Sequence, residues 1–185
     1  MRVIAGKCRS MPLAAPAGED TRPTTDRIKE TLFNILMADV PGCRFLDLFA
    51  GSGGIGIEAL SRGAAFCCFV DNSRAAVSVI RKNLQFTKLA DDAEVLQMDV
   101  VSAVSLLDKK EPFDIVFLDP PYGQGLEVSV LERLASSRCV TDQTLFILET
   151  SLDGDVSFLE EAGFRITREK RYKTNRHLFF RIRRT

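Results

Sequence analysis

Short apolar runs alternate with amphipathic segments along most of this chain, and no other feature constrains its fold as strongly. The apolar runs have the length and composition of buried strands, while the segments between them have helical spacing. The predicted strands span residues 44–49, 65–70, 93–97, 113–118 and 144–149. The predicted helices span residues 53–62, 73–88, 100–107, 125–137 and 155–162. Repeated strand–helix units predict an α/β fold, with a parallel sheet covered by helices.

The two ends of the chain depart from this repeat. Residues 1–13 alternate weakly and predict a strand or arm, and a loop rich in Pro, Ala and Gly follows. A helix is expected to begin after an N-cap at Thr24 or Thr25 and to stop before Pro41. Residues 164–172 and 177–183 predict a hairpin that adds one antiparallel strand. Without a linker, repeat or low-complexity tract, we expect residues 1–185 to form a single domain, with an N-terminal arm 1–24 and a C-terminal hairpin 164–184.

The cysteine and histidine content argues against several kinds of site. The five cysteines are scattered without a CxxC pair, and there is one histidine. A zinc site or a Cys–His nucleophile is therefore not expected, and no metal is predicted. Free, buried thiols in a reducing cytosol are the expected state. No apolar stretch reaches membrane-spanning length and no secretory signal opens the chain, so we expect a soluble, cytoplasmic protein.

The distribution of charge is uneven although the net charge is zero. Residues 165–185 carry nine basic residues and one acidic residue, whereas residues 31–164 carry ten basic and twenty acidic residues. A basic hairpin on an acidic body favours a local surface for a polyanion such as nucleic acid. A solvated, charged strand pair would give the same composition.

A glycine-rich segment follows the first predicted strand. Residues 51–56 satisfy the G-x-G-x-x-G pattern at the start of a helix, where free N–H groups and a tight turn suit a nucleotide-type ligand. Asp71 stands twenty residues after Gly51, at the end of the second strand, where a carboxylate can hold ribose hydroxyls. The order of these elements predicts a nucleotide-type cofactor. Glycines that only pack a helix on a strand, with Asp71 as a helix cap, are the alternative.

An acidic residue just before this segment distinguishes between two possible cofactors, NAD and S-adenosylmethionine. Asp47 would repel the diphosphate of NAD and attract the ammonium group of S-adenosylmethionine. Asp99, after the third strand, could accept from the adenine amino group or cap the next helix. We therefore expect S-adenosylmethionine. The predicted cofactor-binding residues are Asp47, Phe49, Ala50, Gly51, Ser52, Gly53, Asp71, Asn72 and Asp99.

A carboxylate, two prolines and an aromatic ring end the fourth predicted strand, as Asp119-Pro120-Pro121-Tyr122. The end of a strand is a usual ligand site in open α/β sheets. An acid and a flat ring beside a backbone without amide donors suit a planar substrate that carries an NH2 group. Asp119, Pro120 and Tyr122 are the predicted catalytic residues. A plain turn with Asp119 as a cap is the alternative.

With DLFAGSGGIGIEAL, VDNS and DPPY in this order, the chain resembles class I S-adenosylmethionine-dependent methyltransferases. The segments RPTTDR and LFNIL, together with the opening MRVIAGK, resemble the RsmD family more specifically. That resemblance implies a Rossmann-like, seven-stranded, mostly parallel sheet with a reversed last strand. It also implies methylation of the N2 amine of a guanine in small-subunit ribosomal RNA. Ser10 departs from the pattern, because the family usually has glycine after Arg9 and then a basic residue.

The expected partner is therefore small-subunit ribosomal RNA within an assembling or finished particle, bound by a monomer. The residues expected to contact RNA are Arg22, Thr24, Arg27, Arg168, Arg171 and Arg183. Several rival functions share parts of the pattern. A protein-glutamine methyltransferase usually carries Asn at position 119, and a DNA methyltransferase usually has a separate recognition domain. A non-catalytic RNA-binding or ribosome-assembly module would not need both the glycine turn and the DPPY segment.

Overall fold

The computed structural model describes residues 1–16 and 25–183. The chain divides into two compact units, Met1–Met98 and Asp99–Thr185. Arg22 and Thr24 lie outside the described residues. The single-domain organisation expected from the sequence stays a prediction.

Among the described residues of the first unit, three parallel strands are accompanied by three α-helices and a short 3-10 helix, Ala90–Asp92. The strands are β1 (Arg44–Leu48), β2 (Phe66–Asp71) and β3 (Ala93–Gln97), with β2 paired to both others. The helices are α1 (Asp26–Ile35), α2 (Gly54–Ser61) and α3 (Arg74–Thr87). The apolar residues of β1 and β2 are almost all buried, as the continuous apolar runs of parallel strands require.

The second unit, as described through residue 183, contains four strands and three helices. The strands are β4 (Ile115–Leu118), β5 (Leu145–Ser151), β6 (Phe164–Arg171) and β7 (Asn175–Ile182). The helices are α4 (Val100–Leu107), α5 (Leu126–Ala135) and α6 (Phe158–Glu161). β4 and β5 are parallel, whereas β7 runs antiparallel to both β5 and β6. Phe146, Phe164 and Phe180 pack together with ring centroids 5.1–5.5 Å apart.

The seven strands lie in the order β3-β2-β1-β4-β5-β7-β6. This order confirms the mostly parallel sheet with a reversed last strand. The predicted and observed elements agree within two residues, with two exceptions: α1 ends at Ile35 rather than just before Pro41, and α6 begins at Phe158 rather than at residue 155. Asp155 explains this delay, because its carboxylate accepts from the amide and the hydroxyl of Ser157 at 2.9 and 3.1 Å. Such a local turn competes with helix formation.

The N-terminal arm, described for residues 1–16, folds back on itself. An antiparallel bridge joins Arg2 to Pro12. The turn between them holds Ser10 at φ 68°, in the left-handed region that glycine adopts without a steric penalty. This conformation gives a physical reason for the glycine usual in the family at this position.

A buried carboxylate fixes the arm to α2. Glu58 accepts from the amides of Ile4 and Ala5 at 2.8 and 3.0 Å and from Arg62 Nε at 2.8 Å. Lys29 Nζ lies 3.5 Å from Glu58 Oε2 and donates to the Arg2 carbonyl at 2.5 Å. Burial is the largest influence on Lys29 and lowers its pKa, while Glu58 opposes that effect. The arm therefore belongs to the folded core of the first unit.

Candidate active site

The glycine turn, residues 51–56, begins directly after β1 and leads into α2. Gly53 is the N-cap of α2 at φ 75°, and its amide donates to the Ala50 carbonyl at 2.7 Å. Phe49 also has a positive φ of 61°, which costs energy for a residue with a side chain. Gly56 serves a different purpose, because a Cβ there would lie 2.3 Å from Phe69 and 2.6 Å from Cys67 Sγ. The glycines thus provide both the turn and the close packing of α2 on β2.

Asp47 ties the turn to β1. Its carboxylate accepts from the Gly56 amide at 2.9 Å and is only 2% exposed. Burial raises the pKa of Asp47 to about 8, the Gly56 hydrogen bond opposes the shift, and the nearby Asp71 adds to it. At neutral pH this carboxyl is mostly protonated unless a cation lies beside it. A cofactor ammonium group would supply such a cation.

Asp71, the last residue of β2, holds the other side of the turn. One carboxylate oxygen accepts from the Gly51 amide at 2.8 Å, and the other accepts from the Ser73 amide at 2.8 Å. A carboxylate has about four acceptor positions, so these two bonds leave capacity for hydroxyl donors. Asn72 beside it is exposed. The structure therefore brings Asp47, Gly51 and Asp71 together around one turn, and their role in cofactor binding stays a prediction.

Asp99 opens the second unit as the N-cap of α4. Its carboxylate accepts from the Ser102 amide at 2.9 Å, and hydrogen bonding from Ser102 lowers its pKa. The helix-cap alternative is thus what the structure shows. Its predicted adenine contact stays a prediction, since a capping carboxylate keeps further acceptor positions.

Asn83 contacts the glycine turn from α3, although no sequence motif marks it as a site residue. Its side-chain amide donates to the Ser52 carbonyl at 3.0 Å and pairs with Ala14 of the arm through both its oxygen and its nitrogen. Met1 contacts the same turn, with its Sδ 3.6 Å from Ser52 Oγ. The available signal was a polar residue on the buried face of α3, beside Ile80 and Leu84.

The segment 119–122 follows β4 in the second unit. All four residues of β4 are buried, Pro120 is buried, and Tyr122 is 53% exposed. The loop continues through exposed residues to Gly125, the N-cap of α5 at φ 66°. Within four residues the chain therefore passes from the core to a ring that offers an exposed face. The catalytic assignments of Asp119, Pro120 and Tyr122 stay predictions.

The C-terminal hairpin has exposed basic side chains on β6 and directly after β7. Arg168, Arg171 and Arg183 are exposed, and Arg171 lies 3.6 Å from Glu169. Besides its buried aromatic residues, the hairpin also buries a polar group. His177 is fully buried between Glu149 Oε2 at 2.9 Å and the Tyr172 hydroxyl at 3.1 Å. Burial is the main cause that raises the pKa of Tyr172 to about 12, so its hydroxyl stays protonated.

Helix α1 begins at a capping threonine and carries an exposed arginine in its first turn. Thr25 is the N-cap of α1, accepting from the Ile28 amide at 3.3 Å, and Arg27 is exposed.

All five cysteines are buried. Across residues 1–16 and 25–183, no three His, Cys, Asp or Glu side chains are grouped so as to hold a metal ion. No helix in the described chain is long and apolar enough to cross a membrane.

The model of the family described as "Conserved hypothetical protein 95" matches residues 1–181. YlbH of Bacillus subtilis is 41% identical over 174 residues, which cover 93% of this chain and 94% of that protein. The protein of Escherichia coli K12 named "Ribosomal RNA small subunit methyltransferase D" is 36% identical over 170 residues, covering 92% and 84%.

Two solved structures support the fold. The yhhF protein of Escherichia coli gives a TM-score of 0.83 at 34% identity, covering 100% of this chain and 99% of that one. The magnesium protoporphyrin IX methyltransferase of Synechocystis, solved with S-adenosylmethionine, gives 0.67 at 18% identity, covering 84% and 78%, and shows likeness of fold alone. With a family model that spans nearly its whole length and relatives matched along most of theirs, the chain belongs to the conserved hypothetical protein 95 family, the RsmD family.

Proposed function

We propose that this protein transfers a methyl group from S-adenosylmethionine to the N2 amine of a guanine in small-subunit ribosomal RNA. The observation that carries the proposal is the glycine turn fastened between two acids, Asp47 and Asp71. The names of the relatives, which include a small-subunit ribosomal RNA methyltransferase, support the substrate class. The fold is shared with a methyltransferase solved with this cofactor.

The first unit supplies most of the groups proposed to bind the cofactor. The backbone of the glycine turn approaches the ligand closely, and Asp71 accepts from the ribose hydroxyls. Asp47 faces the ammonium group of the amino-acid portion, and Asp99 of the second unit accepts from the adenine amine. S-adenosylmethionine, when bound, supplies an electrophilic methyl group on its sulfonium.

The segment 119–122 supplies the groups proposed to act on the amine. The nitrogen lone pair of this amine is delocalised into the guanine ring, which makes it a weak nucleophile. Asp119 and the Pro120 carbonyl accept its two N–H bonds and turn the lone pair out of the ring plane. Tyr122 offers an exposed ring on which the base stacks. Most of the acceleration would then come from alignment and preorganised polar groups. As the bond between nitrogen and the methyl carbon forms, the carbon–sulfur bond would break with its electron pair going to sulfur, and the cationic amine would then lose a proton to water.

The basic hairpin and Arg27 are proposed to hold the RNA by its phosphates. Arg22 and Thr24 have the same proposed role by resemblance to the family. The protein is further proposed to be a single methyltransferase domain. It would act as a monomer, in the cytoplasm, on a small-subunit particle. The base must leave its stack to reach the catalytic groups, which is easiest in a loop.

The decisive experiment uses S-adenosylmethionine with a labelled methyl group and small subunits, or their free RNA, from a strain that lacks the enzyme. Mass spectrometry then locates the methyl group on the nucleotide. N2-methylguanine at one position of the RNA is the expected product. Label on a ribosomal protein or on DNA instead would establish one of the rival substrates, and no transfer to any of them would refute the proposal.

A further inference from the structure

Asn83 joins the N-terminal arm to the glycine turn through a complete set of hydrogen bonds. Its Oδ1 accepts from the Ala14 amide at 2.9 Å, and its Nδ2 donates to the carbonyls of Ala14 and Ser52, both at 3.0 Å. The residue is 3% exposed. A side-chain amide is the only type of group of this size that offers two donors and an acceptor at once.

The two bonded segments belong to different parts of the first unit. Ala14 lies 69 residues before Asn83, near the end of the described arm, whereas Ser52 is central to the glycine turn. The arm also reaches the turn directly, since Met1 Sδ lies 3.6 Å from Ser52 Oγ. Ser52 is therefore held by the arm through its side chain and by Asn83 through its carbonyl.

We propose that Asn83 is a positioning residue that makes the N-terminal arm part of the cofactor site, so that arm order and cofactor binding support each other. The turn keeps its ligand-binding shape only while Ser52 is held, and Asn83 is itself oriented by Ala14. Two sites that share one ordered element are coupled, and the coupling is reciprocal. This inference rests on the proposed use of S-adenosylmethionine.

Ser61 provides a matched control, because it fixes the arm without contacting the turn. Its hydroxyl accepts from the Cys8 amide at 2.9 Å and donates to the Ala5 carbonyl at 2.7 Å. Asn83→Ala and Ser61→Ala should lower the urea midpoint by similar amounts. Only Asn83→Ala should weaken S-adenosylmethionine binding, by about tenfold, as expected for the loss of a hydrogen bond worth about 1.4 kcal/mol.

The experiment compares calorimetric binding of S-adenosylmethionine and hydrogen exchange for the wild type and both variants. In the wild type and Ser61→Ala, the cofactor should slow exchange of the Ala14 amide, whereas Asn83→Ala should lose that response. Asn83→Asp, which has the same shape but lacks both donors, serves if the alanine variant does not fold. Equal cofactor affinity in the Asn83 and Ser61 variants would overturn the inference. A wild type that binds no S-adenosylmethionine would instead refute the proposed function.

The outer face of α3 carries a cluster of cationic side chains. Three cationic residues, Arg74, Arg81 and Lys82, border a depression of about 300 Å³ with Ser78, Gln85 and Gln97. None of the three cations forms an ion pair with a residue of the described ranges, and the residues lining the depression include no acid. Phe86, one turn from Lys82, is 53% exposed. Cations beside an exposed ring are typical of surfaces that bind single-stranded nucleic acid.

We infer that this α3 face, defined by Arg74, Arg81, Lys82 and Phe86, contacts a single-stranded part of the RNA substrate. The inference rests on the proposed function and adds a contact surface separate from the C-terminal hairpin. Each phosphate neutralised on a single strand contributes about 0.7 to the slope of log affinity against log salt. Reversing all three charges should therefore lower that slope by about 2.

The test measures binding of the unmethylated RNA at several salt concentrations. Arg81→Glu should lower the slope, while Lys109→Glu, an exposed reversal after α4, should leave it nearly unchanged. Phe86→Ala should weaken binding about tenfold without a change in slope. Equal slopes for the Arg81 and Lys109 variants, with wild-type methylation intact, would refute this surface and leave the proposed function standing. A slope change without any methylation of RNA by the wild type would refute the proposed function.

Discussion

Replacing Asp47 with asparagine tests whether burial keeps this carboxyl neutral. Asparagine has nearly the same shape and retains an oxygen that can accept from the Gly56 amide, now 2.9 Å from the Asp47 carboxylate. It removes the titration and leaves the turn in place. The folded pKa is about 8 against an ordinary value of 3.8, because the carboxyl is buried.

The sign and size of the effect follow from proton linkage. Between pH 5 and pH 7 the unfolded chain has lost the Asp47 proton and the folded chain retains it. The stability that the neutral Asp47 carboxyl contributes is complete below pH 3.8. It decreases steadily as the pH rises above 3.8, and it is lost once the pH has risen through about 8. One proton corresponds to about 1.4 kcal/mol per pH unit. From pH 5 to pH 7 the wild type should therefore lose about 3 kcal/mol relative to Asp47→Asn.

Urea unfolding at pH 5, 6 and 7 measures this difference directly. Asp155→Asn is the control: Asp155 is exposed and hydrogen bonding from Ser157 lowers its pKa, so it is ionised in both states over this range. The stability difference between wild type and the control should stay constant with pH. Parallel pH curves for the wild type and Asp47→Asn would show that Asp47 is not held neutral by burial.

Four further predictions address the site and its support. Asp119→Ala should retain cofactor binding and lower methyl transfer by roughly a hundredfold or more, as single-turnover assays would show; near-normal transfer would remove Asp119 from the mechanism. Glu58→Gln should lower the free energy of unfolding by about 3–5 kcal/mol in urea, because the Lys29 ammonium loses its buried counter-charge; a loss below about 1 kcal/mol would contradict the buried pair. Charge reversal of the hairpin residues Arg168, Arg171 and Arg183 should weaken RNA binding and reduce its salt dependence, whereas an unchanged slope in a filter-binding titration would place the RNA surface elsewhere. S-adenosylmethionine binding at pH 6–7 should release about one proton from wild type and none from Asp47→Asn, measured calorimetrically in buffers of different ionisation enthalpy; equal release would exclude Asp47 as the partner of the ammonium.

The order of strands and helices could be predicted because it depends on local patterns. β1 and β2 are continuous apolar runs, and α3 has a buried stripe at helical spacing. The glycine turn and its two acids were also predictable, since turn chemistry and the end of a strand are both visible over a few residues. The start of α6 was not, because Asp155 offered Ser157 a competing local hydrogen bond.

The sequence by itself determined which segments form strands and helices and where the glycine turn lies, and it predicted which residues bind the cofactor and the amine. Only the tertiary structure decided what Asn83 and Glu58 do, because their hydrogen-bond partners in the N-terminal arm lie 53 to 69 residues away along the chain. Hydrophobic periodicity places a residue on the buried face of a helix. It does not say which backbone groups will meet that residue, since those contacts depend on how the folded arm packs against α2 and α3.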